Sequence, residues 1–311
     1  MTLYRWKDFM KNQVNKGIQY MLYASLLFAF MGAMAKELSD SMSSVEVVFF
    51  RNIFGVLFIL ISIYKSPLKQ LGGKFWLLIF RGTAGFIALL FFFYNISQIS
   101  LGEAMTFSKT STIFTAILAY VFLKEKLGFK GWVGVFIGFI GIIFITEFDG
   151  SSLEKTDYLG ILSGVGAALA YTSVRELRKF YDSRAIVLSF MAIGTVGPMI
   201  LMLIGNFYTN PNLDFMLGTF TMPKPNDWFY IILLGIFSTY AQIFMTKAYS
   251  YAKAGIIGTI SYSNIVFSIL LGLVLGDSFP STSIVLGIIL IVLSGLLVSS
   301  KNHPIKNSLN E

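Results

Sequence analysis

Ten runs of strongly apolar residues, each about as long as a helix that crosses a bilayer, follow one another with little between them. They lie at about 17–36, 44–64, 75–98, 102–123, 131–147, 157–177, 185–206, 227–251, 254–276 and 281–300. About 20 apolar residues in a helix span the hydrocarbon core. A spanning segment must also satisfy its own backbone hydrogen bonds, as a helix does. The pattern predicts an all-α integral membrane protein of ten transmembrane helices. The first run follows a basic segment but has no small-residue cleavage site, so it is expected to be a retained helix rather than a signal peptide.

Composition excludes other classes. Of 311 residues, 55% are hydrophobic and 13% charged, and the mean hydropathy is +0.72. That is too little polar surface for a soluble domain of this size. Cys is absent and the single His is His303 in the C-terminal tail, which removes thiolate chemistry, Cys/His metal sites and an intramembrane His relay. No cofactor is expected. The net charge of +8 does not signal nucleic acid, because the charges fall in short loops instead of on one folded face.

Lys and Arg distribute unequally between the two sets of connections. The side that holds the N-terminus carries 18 of the 24 basic residues, among them Lys16, Lys65, Lys74, Lys130, Arg178, Lys179 and Arg184. The other side holds Lys36, Lys155 and Lys224 and gathers acids such as Glu37, Asp40, Glu147, Asp149, Asp214 and Asp277. By the positive-inside rule both termini are cytoplasmic. The Pro- and Asn-rich stretch at 207–226 is then an external loop.

The chain also repeats itself. GEAMTFSKTSTIFTAILAYVFLKEKL from Gly102 superposes on AGIIGTISYSNIVFSILLGLVLGDSF from Ala254 at an offset of 152, which brings Glu125 onto Asp277. AKEL at Ala35 matches VREL at Val174 at an offset of 139. Each half holds five helices, an odd number, so the second half enters the membrane from the opposite side. Such inverted repeats place a binding site near the midplane, between halves that rock. The expected parts are a cytoplasmic segment 1–16, repeats at 17–147 and 157–300, an external linker 148–156 and a cytoplasmic tail 301–311.

MGAMAKEL, SSVEVVFFRNIFG, FRGTAGFIALLFFFYNISQISLGEA and AQIFMTKAYSYAKAGIIGTISYSNIVFS, in that order and spacing, resemble the drug/metabolite transporter superfamily, specifically its EamA-like members. The resemblance covers about residues 17–300 and implies ten helices, cytoplasmic termini and secondary transport of small metabolites. This chain departs from many such members at Thr112, where they carry Pro, and at the equivalent ninth-helix position, Asn264.

Ionisable groups inside the membrane cost about 2.5–3.5 kcal/mol on insertion scales, so they face a cavity or a partner. Arg51, Arg81 and Lys109 qualify. Their counterparts in the second half are uncharged: Lys109 maps to Ser261, Arg81 to Phe229, and Arg51 falls near Phe190 or Met191. Glu46 is five residues from Arg51, a poor helical spacing for a direct pair. Ser261, Asn264 and Ser268 form one stripe of the ninth helix, and Lys109, Thr112 and Ala116 take the same positions in the fourth. Such stripes serve either a cavity or helix-to-helix hydrogen bonds. Gln242 adds an amide, and Tyr262 and Tyr240 add rings. Gly134, Gly138 and Gly141, and Gly160 with Gly164, read as close-packing surfaces.

The expected function is secondary-active or exchange transport of a small metabolite, an amino-acid-like zwitterion or an organic anion, across a bacterial cytoplasmic membrane. The substrate-binding set is Arg51, Arg81, Lys109, Thr112, Gln242, Ser261, Tyr262, Asn264 and Ser268. The partners are the solute and membrane lipid. The alternative from another class is an integral-membrane enzyme acting on lipid-linked substrates, which would need a nucleophile, metal cluster or paired acids that this sequence lacks.

Overall fold

The computed structural model describes residues 3–299 apart from 69–71, 124–127, 148–152, 209, 252–256 and 258–259, with side-chain surroundings from residue 15 onward. Glu125, Asp149, most of the segment 254–259 and the tail with His303 therefore lie outside the described residues.

Every regular element among the described residues is helical. In chain order they are α1 (Leu3–Leu38), α2 (Ser44–Lys65), α3 (Phe75–Gln98), α4 (Leu101–Lys109), α5 (Ser111–Leu123), α6 (Phe129–Ile145), α7 (Lys155–Leu177), α8 (Ser183–Gly205), α9 (Asp227–Tyr251), α10 (Ser263–Val274) and α11 (Thr282–Ser299). Five are long and apolar enough to cross a membrane: Asn15–Leu38, Ser44–Lys65, Phe75–Gln98, Arg184–Gly205 and Asp227–Met245. Phe129–Ile145, Ser263–Val274 and Thr282–Val298 are apolar but shorter. Two readings shift against the sequence. The first helix begins at Leu3, not at 17, because the basic segment before it contains no Pro or Gly until Gly17 to stop it. The fourth run is divided at Thr110.

Large side chains fill the space between the helices. Leu38, Phe93, Ile96, Leu101, Ile231 and Leu234 lie at the heart of one buried cluster, and Phe107, Ile113, Ile142, Tyr262 and Ile291 of another. Long apolar residues such as Leu60, Ile61, Phe136 and Leu203 point outward, where lipid would solvate them. The glycine stripe on α6 closes onto α11: a Cβ at Gly134 would meet Leu297 and Val298 at 3.0 Å, and one at Gly141 would meet Ile291 and Leu290 at 3.1 Å. These glycines are packing surfaces, as the spacing predicts.

The helices pair in a mirrored pattern. α1 lies along α9 while α7 lies along α3; α1 also touches α10 while α7 touches α4 and α5; α2 touches α9 while α8 touches α3. Three further pairings, α2 with α8, α4 with α10 and α6 with α11, join segments at corresponding places in the two halves of the chain.

Side chains assigned to the same set of connections by the charge tally meet one another. At the end that holds residues 207–226, Lys36 pairs with Asp277 and Lys155 with Asp214. At the opposite end Lys74 Nζ lies 2.9 Å from Glu176, and Arg184 Nη1 donates to the Ser66 carbonyl at 2.6 Å. The 207–226 segment is docked rather than free. Glu46, fully buried at the start of α2, closes a capping box with Ser43 and accepts the Thr221 N–H at 2.7 Å.

Candidate functional site

Thr110 and Tyr262 tighten their helices in the same way. The Ile113 N–H donates to the Thr110 carbonyl at 2.9 Å, and the Ile265 N–H to the Tyr262 carbonyl at 3.0 Å. Bonds of this i to i+3 kind are frequent at helix ends, here at the starts of α5 and α10. The two positions are 152 residues apart, the offset of the sequence repeat. Sequence reading missed both, since neither Thr nor Tyr carries the Pro or Gly signature of a break.

Lys109 is the last residue of α4, directly before the first of these turns. A cation at a helix C-terminus is favoured by the exposed carbonyl dipoles. Among the described residues it forms no ion pair with an acid. Gly164 of α7 lets this turn come close, since a Cβ there would run into Thr110 Oγ1 and stand 3.3 Å from the Ser111 nitrogen. Thr112 lies beside Tyr262. The Tyr262 ring end packs on Gly295 of α11, where a Cβ would collide with it.

Arg51 and Arg81 approach one ring from different helices. The Arg81 guanidinium carbon is 4.6 Å from the Phe190 ring centroid and that of Arg51 is 5.9 Å from it. Both arginines are buried, at 4% and 8% exposure for Arg51 and Arg81. Arg51 Nη1 donates to Asn52 Oδ1 at 3.0 Å. Asn52 is in turn fixed by donating to the carbonyls of Val48 at 2.8 Å and Gly194 at 3.1 Å. Arg51 Nε and Arg81 Nε and Nη1 have no hydrogen-bond partner among the described residues. Glu46 does not serve Arg51, because its carboxylate is engaged by Ser43 and Thr221. The poor i to i+5 spacing foretold this. Phe190 and Asn52 were not among the sequence candidates, although Phe190 is a repeat counterpart of Arg51 and Asn52 adjoins it.

The remaining candidates disperse. Asn264 Nδ2 donates to the Ser25 carbonyl of α1 at 2.9 Å, which is a helix-to-helix bond. Ser268 is fully buried with no partner for its hydroxyl among the described residues. Ser261 precedes α10 by one residue beyond the Tyr262 turn, and Gln242 lies on α9. Lys109 ends α4, whereas Arg51 lies on α2 and Arg81 on α3. A recess of about 530 Å³ between α2, α8 and α9, lined by chains such as Phe49, Phe50, Met199 and Trp228, is apolar and holds none of the nine candidates.

The model of the EamA-like transporter family matches residues 15–147 and again 155–300. A protein of Helicobacter pylori named "Uncharacterized transporter" is 37% identical over 294 residues, covering 93% of this chain and 96% of its own. The "Pseudopaline exporter CntI" of Pseudomonas aeruginosa is 27% identical, covering 92% and 96% respectively. A solved structure titled "Crystal structure of protein" is similar in fold, with a TM-score of 0.58 at 16% identity, covering 91% of this chain and 96% of that one. The family and these named relatives are transporters, not enzymes.

Proposed function

The chain belongs to the EamA-like transporter family, and on that premise we propose that it moves a small anionic or zwitterionic metabolite by alternating access of two five-helix repeats of inverted topology. The repeats are taken as 17–147 and 157–300, flanked by 1–16, 148–156 and 301–311. The mirrored helix pairing and the matched turns at Thr110 and Tyr262 support this architecture. A bacterial cytoplasmic membrane with both termini inside and 207–226 outside follows from the positive-inside rule.

The observation that carries the substrate reading is charge without compensation. Arg51 and Arg81 lie within helices long and apolar enough to cross a membrane, Lys109 ends α4, and none of the three forms an ion pair with a carboxylate among the described residues. Buried charges require partners, and a transported anion is one that comes and goes. Thr112, Gln242, Ser261, Tyr262, Asn264 and Ser268 are proposed to line or support the same path. Glu46 is occupied as a helix cap and an anchor for Thr221, so exchange or facilitated movement is favoured over proton coupling through it. The test is counterflow into proteoliposomes of a labelled panel of amino acids and organic anions. Accumulation of an anion or zwitterion is expected. Movement of neutral or cationic solutes alone would overturn the substrate reading, and no movement of any solute by folded, reconstituted protein would overturn the function.

A further inference from the structure

We propose that Arg51, Arg81 and Phe190 form an anion subsite that takes a doubly charged oxyanion, a dicarboxylate or a phosphate monoester. The proposal rests on the transport reading and specifies its substrate class.

Two positive charges share one aromatic ring, one 4.6 Å and the other 5.9 Å from its centroid. Unscreened, they repel. Among the described residues neither arginine forms an ion pair with a carboxylate. The ring stabilises each cation through its quadrupole but supplies no hydrogen-bond acceptor in the guanidinium plane. A guanidinium held beside a ring by its charge still has its N–H groups to offer a planar oxyanion. The three nitrogens without partners, Arg51 Nε and Arg81 Nε and Nη1, carry such N–H groups. Unpaired buried donors in a native structure call for a missing ligand or water. A ligand with one negative charge leaves one of the two arginines uncompensated; a dianion matches both.

The surroundings hold this geometry in place. Asn52 bonds Arg51 Nη1 and is itself tied to both α2 and α8. At Gly85 a Cβ would stand 2.9 Å from Phe190 Cδ2 and 3.0 Å from Arg81 Nη1, so only glycine leaves room for ring and guanidinium together. The elements that meet here, α2 and α3 on one side and α8 on the other, come from both halves of the chain. An anion bound between them would therefore sense their relative position.

The experiment titrates succinate and, separately, inorganic phosphate into the full-length protein in nanodiscs, with acetate and chloride at matched ionic strength. Thermal shift and calorimetry are the readouts. One dianion is expected to raise the Tm saturably and acetate is not, and the arm that responds assigns the dicarboxylate or the phosphate. Arg51→Gln and Arg81→Gln should each weaken that binding at least tenfold. Arg51→Lys and Arg81→Lys, which keep charge but lose the fork, should weaken it as well, and they carry the test if the Gln variants do not fold. Dianions acting no differently from acetate, or wild-type dianion affinity in the folded variants, would overturn the subsite. Flux of a metabolite without dianion binding removes the subsite and leaves the transport reading. Dianion binding in a protein that moves no solute does the reverse.

Discussion

The guanidinium of Arg51 lies 5.9 Å from the ring of Phe190, and these residues are 139 positions apart, the offset that lays AKEL on VREL. In two halves related by a twofold axis, a residue touches its own counterpart only near that axis. Away from it the two separate by twice their distance from the axis. On the proposed repeat architecture the contact marks where the halves meet, and it places a charge opposite a ring where perfect symmetry would have put like against like.

Lys109→Gln is expected to lower counterflow at least tenfold while leaving stability at or above the wild-type level. Removing one member of a buried ion pair is strongly destabilising because it strands the other. Lys109 has no ion-paired acid to strand among the described residues. Parallel measurement of flux and Tm decides the matter. A stability loss of several kcal/mol would assign Lys109 to structure, and wild-type flux would remove it from the path.

Gly164→Ala should disturb the α4–α5 turn. The new Cβ would run into Thr110 Oγ1, and that hydroxyl is fixed by donating to the Phe107 carbonyl at 2.6 Å. Overpacking a close contact costs about 1–3 kcal/mol. Thr110→Ala combined with Gly164→Ala should recover part of the loss, since the clashing atom is gone and contacting sites couple. A double variant no more stable than Gly164→Ala alone would mean that the clash is relieved elsewhere.

What could be read from the sequence followed from period and length. Apolar runs locate the helices, the glycine spacing on α6 announces its contact with α11, and three cations stand out because charge inside a membrane run is costly. What escaped was non-local or lacked a composition signal. Lys36 finds Asp277, 241 residues away, and no local rule pairs them. The α4–α5 turn arises in a segment whose residues are all tolerated in helices. One miss was avoidable: Ser43 followed three residues later by Glu46 is the signature of a capping box, and it explains that carboxylate without any role in transport.

The orientation prediction uses the absence of Cys. Asn212 is exposed, in the short turn Pro211–Leu213, and Lys65 is exposed at the opposite end. With the positive-inside assignment, Asn212→Cys is labelled by an impermeant maleimide in intact cells and Lys65→Cys only after permeabilisation. The opposite order would invert the topology and with it the proposed external position of 207–226.

Asp277 should contribute more stability than an ordinary surface acid, because three helix ends depend on it. α10 ends with Gly276 at φ +95°, the Gly276 N–H bonding the Leu273 carbonyl and the Asp277 N–H the Gly272 carbonyl at 2.8 Å. This is a Schellman closure that only glycine adopts without strain. It turns Asp277 back so that one carboxylate oxygen takes Lys36, at the end of α1. The other accepts the Leu101 N–H at 2.8 Å, at the start of α4. Lys36 also donates to the Ile99 carbonyl at 3.1 Å. Exposed ion pairs contribute about 0–1 kcal/mol, but these side chains are only 22% and 12% exposed, and leaving a buried donor unpaired costs about 1–3 kcal/mol. Asp277→Ala removes the ion pair and leaves the Leu101 N–H without its acceptor, while Lys36 keeps the Ile99 carbonyl, so it is expected to lower stability by about 1–3 kcal/mol. Lys36→Met is the milder change, because Asp277 keeps the Leu101 N–H. The double variant should cost less than the sum of the two, with the shortfall measuring the pair. Detergent unfolding of all three proteins gives the comparison. A Lys36→Met loss as large as that of Asp277→Ala would show that the ion pair alone, and not the carboxylate's hold on α4, carries the contribution.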